Sequence, residues 1–478
     1  MLPPHAAWVA DRELRRCGDP AIAIADQDRL DADGNRVAPE FRPRPNRALL
    51  LSGTLSRGVW FVRRDALLAL APDLPDPGWA ERLRLEVGLR QYETCRHVGA
   101  PDAERIATVL THRRHDTEAA PPEMLAAAVN AHLARTAAPL RAAPAFPLRV
   151  HAQRVPVAPR ISVVIASTLR TRTVRRCLRS LLARTDYAPL DVVIGVCQPD
   201  GLDRAQRAAA DALVADRRVR VLHLPHAQFN FAAACNELVA ATDGPAVLLA
   251  NDDLHVLGGA WLAEMAAHLA DPSVAVVGAK LLYPNRTVQH AGVVMGLGGL
   301  CDHAYRHAPR RAPGYAWRAG LAQEVSAVTG ACLLTRRSIY DRLGGLDERY
   351  ASAFNDVDFC LRVREAGYRV VFAPAAELIH HEGFTYGSHY SGARAAEERA
   401  DVARLRARWS AVMAADPFHS PNLDLTAAGR EWSLAFPPRR PDGVGWLQDS
   451  GNAEGARFGR TARQRGRLDT RITGEPAL

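Results

Sequence analysis

The chain has 478 residues, 48% hydrophobic and 24% charged, with a formal net charge of +9. That composition belongs to a folded protein and excludes a disordered, collagen-like or disulfide-stapled chain. Of its 61 basic residues only Lys280 is a lysine, so the charge reads as an arginine-rich solvated surface, with a mild pull on anions as the alternative.

The eight cysteines form no C-x-x-C pair, which argues against a zinc site or a disulfide framework and for a reducing compartment. The opening MLPPHAAWVADRELRR has no apolar segment of the kind a secretory signal needs. No stretch reaches the ~20 apolar residues that span a bilayer. The expectation is a soluble or at most peripheral protein.

In chain order, residues 1–135 form a first unit. Residues 136–157, rich in proline and arginine, read as a linker. A regular alternation follows: strand 161–166, helix 173–184, strand 190–196, helix 203–216, strand 219–224, helix 231–242 and strand 246–250. Strands alternating with amphipathic helices predict βαβ units, hence a mostly parallel sheet with helices on both faces. Such sheets take ligands at the carboxyl ends of their strands. Further on, a helix is expected over 356–366 and a strand over 369–373. Residues 426–478 read as a largely disordered extension, since few large apolar residues are available there to bury.

Three acidic or imidazole features stand out. Asn251-Asp252-Asp253 follows the strand AVLLA directly; hard oxygen donors at that place suit Mg²⁺ or Mn²⁺ shared with a diphosphate. A turn capping a helix over 254–270 is the bland alternative. In Phe354-Asn355-Asp356-Val357-Asp358, the two acids are i and i+2 and do not share a helical face, so one can meet a cleft while the other caps or pairs internally. A carboxylate there is a candidate general base, with helix capping as the alternative. His380-His381 follows a strand and a proline, and offers one imidazole to a metal. Residues 326–332, Ser-Ala-Val-Thr-Gly-Ala-Cys, bring small side chains together, which lets backbone approach a ligand. No G-x-G-x-x-G follows a strand and no P-loop or G-x-S-x-G occurs, which argues against dinucleotide dehydrogenases, P-loop enzymes and serine hydrolases. No RNA-binding or zinc-finger signature supports a nucleic-acid partner.

Seven segments together resemble one family. FNFAAACNELV (229–239), LLANDD (248–253), VGAKLLYPNRTVQHAGVV (277–294), SAVTGACLLTRR (326–337), GGLDE (344–348), FNDVDFCLRVREAGYRVV (354–371) and AELIHHEG (376–383) are similar to inverting, non-processive family-two glycosyltransferases of the GT-A fold. The similarity is to bacterial enzymes of O-antigen, capsule and rhamnan assembly. It covers 158–425 and implies a catalytic domain there. It implies a metal-binding role for Asp253 and His380, donor contacts for Asn251 and Asp252, a base role for Asp356, and an acceptor-side segment at Thr329-Gly330-Ala331. Relatives usually grip the nucleotide with an acid after the second strand; this chain has Gly195-Val196-Cys197-Gln198, so Thr168 and Gln198 are assigned to the donor pocket by position. The resemblance further implies a divalent cation, a nucleotide-sugar donor such as dTDP-rhamnose or a UDP-sugar, and a glycan or lipid-linked acceptor. It implies a cytoplasmic protein, peripheral at the inner membrane. A catalytically inactive glycan-binding scaffold of the same fold is the alternative function.

Residues 1–135 echo the same family faintly. AIADQDRLDADGNRVAPEFRPR (23–44) resembles its acidic-motif region, GVWFVRRDALLAL (58–70) its GACLLTRR segment, and VLTHRRH (109–115) its histidine region. No counterpart of FNDVDFC lies between them. The expectation is a partial, degenerate GT-A-like α/β unit without catalytic function.

Overall fold

The computed structural model describes residues 2–70, 79–94, 103–114, 119–153, 158–169, 173–197, 202–224, 229–351, 353–381 and 393–439. Residues 1–438 form one compact unit.

The N-terminal region opens with helix α1 (Ala6–Arg16). Strand β1 (Ile22–Leu30) follows, buried along its first seven residues. Strands β2 (Arg36–Glu40) and β3 (Trp60–Val62) pair antiparallel with one edge of β1, and β4 (Ala103–Arg114) runs parallel along the other. Helices α2 (Arg47–Leu50), α3 (Arg64–Leu70), α4 (Ala80–Thr94) and α5 (Pro122–Arg135) accompany this small sheet.

The stretch expected as a linker holds a hairpin, β5 (Leu140–Ala143) paired with β6 (Arg149–Ala152). Leu140, Ala142 and Leu148 are buried in the same apolar cluster as Leu125 and Val129 of α5. Alternate apolar residues among the prolines give this stretch one face to bury, which outweighs its loop-like composition. The described start of the C-terminal extension is also packed. Trp432 stacks on Tyr305 at 4.6 Å and Tyr315 at 5.6 Å, and Glu431 accepts the Tyr305 amide. The rest of the extension, 440–478, lies outside the described residues.

Strand β7 (Ile161–Ser167), helix α6 (Thr173–Arg184), strand β8 (Leu190–Cys197), helix α7 (Arg204–Leu213), strand β9 (Val219–Leu224), helix α8 (Phe231–Ala240) and strand β10 (Ala246–Ala250) match the expected alternation. These four strands are parallel, in the order β10-β7-β8-β9. Side chains alternate across the sheet. Val164, Val193 and Leu249 pack with α8, while Val163, Val192 and Leu248 pack with Val174, Cys177 and Leu178 of α6. Each fully buried Val or Leu contributes about 1.5–3 kcal/mol.

Beyond β10 the chain does not enter a helix at Leu254. It forms a short strand, β11 (Leu254–Val256), before α9 (Trp261–Leu269). Strands β12 (Val274–Leu282), β13 (Val288–His290), β14 (Val293–Met295), β15 (Cys301–His303), β16 (Gln323–Glu324) and β17 (Cys332–Arg336) follow. After α10 (Arg337–Arg342) and α11 (Asn355–Glu365) comes the long strand β18 (Arg369–His380), and α12 (Ala393–Ala414) ends the helices. The central sheet reads β11-β18-β12-β17-β10-β7-β8-β9, with β17 antiparallel to both neighbours and β11 antiparallel to β18. It is therefore an α/β sheet whose β10-β7-β8-β9 half is parallel as expected, while the other half is mixed.

Pro374 does not end β18. The register jumps from Ala279↔Ala373 to Lys280↔Glu377, so residues 374–376 bulge out and the missing proline N–H costs no ladder bond. The strand then continues to His380, which pairs with Leu254. That extension carries the histidine to the residues after β10.

Candidate active site

Asn251, Asp252 and Asp253 occupy the crossing from β10 to β11, at the carboxyl ends of the parallel strands. The Asn251 amide donates to the Ala331 carbonyl at 3.0 Å, continuing the β10/β17 ladder. Asp252 is buried and accepts a 2.6 Å hydrogen bond from Ser167 Oγ at the end of β7. Thr168 follows immediately; its carbonyl accepts from Gln206 Nε2 at 3.3 Å. Gln198 lies outside the described residues.

Asp253 is 6% exposed, and its Oδ1 sits 3.1 Å from Nε2 of His380. The approach is close enough for an ion pair but misaligned for a hydrogen bond, so Oδ1 is buried with no hydrogen-bond partner. His380 Nε2 also faces the Asn251 side-chain amide at 3.1 Å, and its Nδ1 meets Gln289 Oε1 at 2.8 Å. Of the two adjacent histidines, the His380 ring is the one held against Asp253; His381 donates its backbone amide to the Asp253 carbonyl.

An orphaned carboxylate oxygen beside an imidazole nitrogen fits a divalent cation. Among the described residues no cluster of three or more His, Cys, Asp or Glu side chains forms a metal cage. Mg²⁺ and Mn²⁺ do not require one, since they bind through one or two protein ligands and complete their shells with phosphate oxygens and water.

On the other side, Thr329-Gly330-Ala331 leads into β17. The Gly330 amide donates to Asp356 Oδ2 at 2.6 Å, and the Val357 amide donates to Asp356 Oδ1 at 2.8 Å. A Cβ at position 330 would stand 3.2 Å from the Asp356 Cβ, so a side chain there would press on the acid. Phe354, with φ 65°, makes the left-handed turn that starts α11 and places Asp356 in its first turn. A bulky residue in that conformation is strained. Asp358 has the other fate open to the two acids. It is fully buried and bonds Arg362 Nε at 2.7 Å and Trp409 Nε1 at 2.9 Å.

The acid and the cation-type pair are thus joined by a short bonded chain: Asp356 to Gly330, Ala331 to Asn251, Asn251 to His380. Three contributors were not singled out from the sequence. Ser167 holds Asp252, Gln289 holds His380, and His290 accepts the Gly292 and Thr329 amides at 3.3 and 3.4 Å. Burial, with His303 and His380 nearby, pushes the His290 pKa well down, so it is neutral and able to accept. The one sequence signal available was a polar pair, Gln289-His290, within the otherwise apolar run 288–295.

The family model "Glycosyltransferase like family 2" matches residues 159–411, just over half of the chain. An uncharacterized protein, y4gI, of Sinorhizobium fredii is 34% identical over 450 residues, covering 89% of this chain and 47% of that protein. O-antigen biosynthesis protein RfbC of Myxococcus xanthus is 30% identical over 448 residues, covering 89% of this chain and 33% of RfbC. The chain therefore spans a third to about half of the length of these relatives. Mannosyltransferase PcManGT from Pyrobaculum calidifontis, solved with GDP-Man and Mn²⁺, superposes with a TM-score of 0.37 at 16% identity, over 48% of this chain and 59% of that one. By the match over 159–411, the chain belongs to the glycosyltransferase-like family 2.

Proposed function

We propose that the chain transfers a sugar from a nucleotide-diphosphate donor to a hydroxyl of a cell-surface glycan or lipid-linked acceptor, inverting the anomeric configuration. The observation that carries this reading is the Asp253–His380 pair linked, through Asn251 and Ala331, to the Gly330-bound Asp356. Membership of the family supports the reaction class, and RfbC supports a place in polysaccharide assembly.

Asp356, held by two backbone amides, takes the proton of the acceptor hydroxyl as its oxygen attacks the anomeric carbon. The bond from that carbon to the diphosphate oxygen breaks on the opposite face. A positioned base of this kind contributes about 10²–10⁴-fold. Asp253 and His380 would hold a divalent cation, which when bound would offset the charge of the departing diphosphate. Asn251, Asp252 and Thr168 line the donor side, and Thr329-Gly330-Ala331 the acceptor side. dTDP-rhamnose and UDP-sugars are the donors proposed. The described residues contain no helix long and apolar enough to cross a membrane. For a lipid-linked acceptor, we place the protein in the cytoplasm, peripheral at the inner membrane.

A thermal-shift series with dTDP-, UDP- and GDP-sugars, with and without Mn²⁺, tests this, because a ligand that binds the folded state raises Tm by mass action. One donor class is expected to stabilise only with Mn²⁺, and to release its nucleoside diphosphate when acceptor is added. Stabilisation by glycan fragments alone, with no donor effective, would favour an inactive scaffold.

A further inference from the structure

Gln289 and His290 are neighbours in β13, 4% and 0% exposed. Adjacent residues of a strand project to opposite faces. His290 faces the Thr329 loop. Its Nε2 accepts two amides and its Nδ1 lies 2.6 Å from Nδ1 of His303. A ring nitrogen that accepts carries no proton, so the His290 proton sits on Nδ1 and is shared toward His303. Both ring nitrogens are engaged, which anchors β13.

Gln289 faces His380. Its Oε1, 2.8 Å from Nδ1, can only accept, so Nδ1 carries the proton. Nε2 of the same ring lies 3.1 Å from the Asn251 Nδ2 group, which can only donate. Both contacts require the same tautomer, with a lone pair on Nε2. Asp253 Oδ1, itself without a hydrogen-bond partner, lies 3.1 Å from the same nitrogen, so a cation beside Asp253 would take the lone pair in place of the Asn251 amide.

We propose that Gln289 is a positioning residue: it fixes the Nδ1–H tautomer of His380 and aims Nε2 at the cation position beside Asp253. The proposal rests on the reading that Asp253 and His380 hold a divalent cation. Ligating histidines generally need such a partner for their other nitrogen, and its loss costs about 10–100-fold in metal affinity.

The test uses the full chain labelled with ¹⁵N-histidine, with His380 assigned by the signal lost in His380→Gln. Long-range ¹H–¹⁵N spectra should show wild-type His380 protonated at Nδ1. Gln289→Met should shift it toward Nε2–H, while Gln289→Glu, which keeps the acceptor, should not. In parallel, binding of Mn²⁺ alone is read from loss of the free-ion paramagnetic resonance signal. Gln289→Met should weaken it by about 10–100-fold and Gln289→Glu should restore most of it. An unchanged tautomer in Gln289→Met, or loss of Nδ1–H in Gln289→Glu, overturns the proposal. If the tautomer responds as stated but the wild type binds no Mn²⁺, the cation reading falls while the positioning of His380 by Gln289 stands.

Discussion

Asp253 with His380 in the central sheet, and Asp28 with His112 in the N-terminal sheet, are both acid–imidazole pairs with a buried acid, yet they are completed differently. Asp28 lies opposite His112 across the parallel β1/β4 pair. Its Oδ1 meets His112 Nδ1 at 2.6 Å, and its Oδ2 accepts from Arg36 Nε at 2.6 Å. Both oxygens are taken, and the guanidinium of β2 supplies the positive charge. Among the described residues Asp253 has an imidazole but no guanidinium, and one of its oxygens lacks a hydrogen-bond partner. A buried carboxylate needs compensation. The N-terminal sheet provides it from the chain itself, whereas in the central sheet the proposed cation would supply it.

The sharpest break of the comparison is at the acids. Asp253→Asn should remove Mn²⁺-dependent binding of nucleoside diphosphate, by at least about 100-fold in calorimetry, while Asp28→Asn should leave it unchanged. A comparable loss from both would mean that the two pairs do the same job. Next, Asp356→Asn should cut transfer by about 10²–10⁴-fold with donor affinity kept, as measured by nucleotide release beside calorimetry. Residues 1–135 carry no sequence counterpart of FNDVDFC to take over.

Smaller effects probe the self-sufficient pair. Arg36→Met should lower stability by about 1 kcal/mol in denaturant titration, because Arg36 is more than half exposed and water screens it. Donor binding should not change. A last effect, read as pH dependence, concerns Asp26, next to Gln27 in the same strand. Burial raises its pKa from 3.8 to about 7, against the Arg42 amide and the Arg105 charge. The folded state thus holds this proton more tightly than the unfolded chain. Its contribution is complete below about pH 4 and is lost as pH rises toward 7. Asp26→Asn should flatten that part of the stability–pH curve.

Much of the catalytic half was legible because its signals are local. The βαβ alternation from 161 to 250 follows from buried apolar runs and from helices with one apolar stripe, such as Val174, Cys177, Leu178 and Leu181. The segment 140–152 was misread for a local reason too: proline content masked its alternating buried residues. The strand through Pro374 was cut short because a bulge, which a sequence does not display, absorbs the proline.

The sequence by itself determined the order of strands and helices, and it brought forward the acids and histidines able to do this chemistry. Tertiary structure alone decided between neighbours: Asp356 meets Gly330 while Asp358 is closed off by Arg362 and Trp409, and it is the His380 ring that meets Asp253. It also recruited Gln289, 91 residues from His380, and joined Asn251 to that same ring across 129 residues. The physical reason is that propensity and periodicity act over a few residues. Which partner a buried polar atom finds depends on strand order and register, which bring distant parts of the chain within 3 Å.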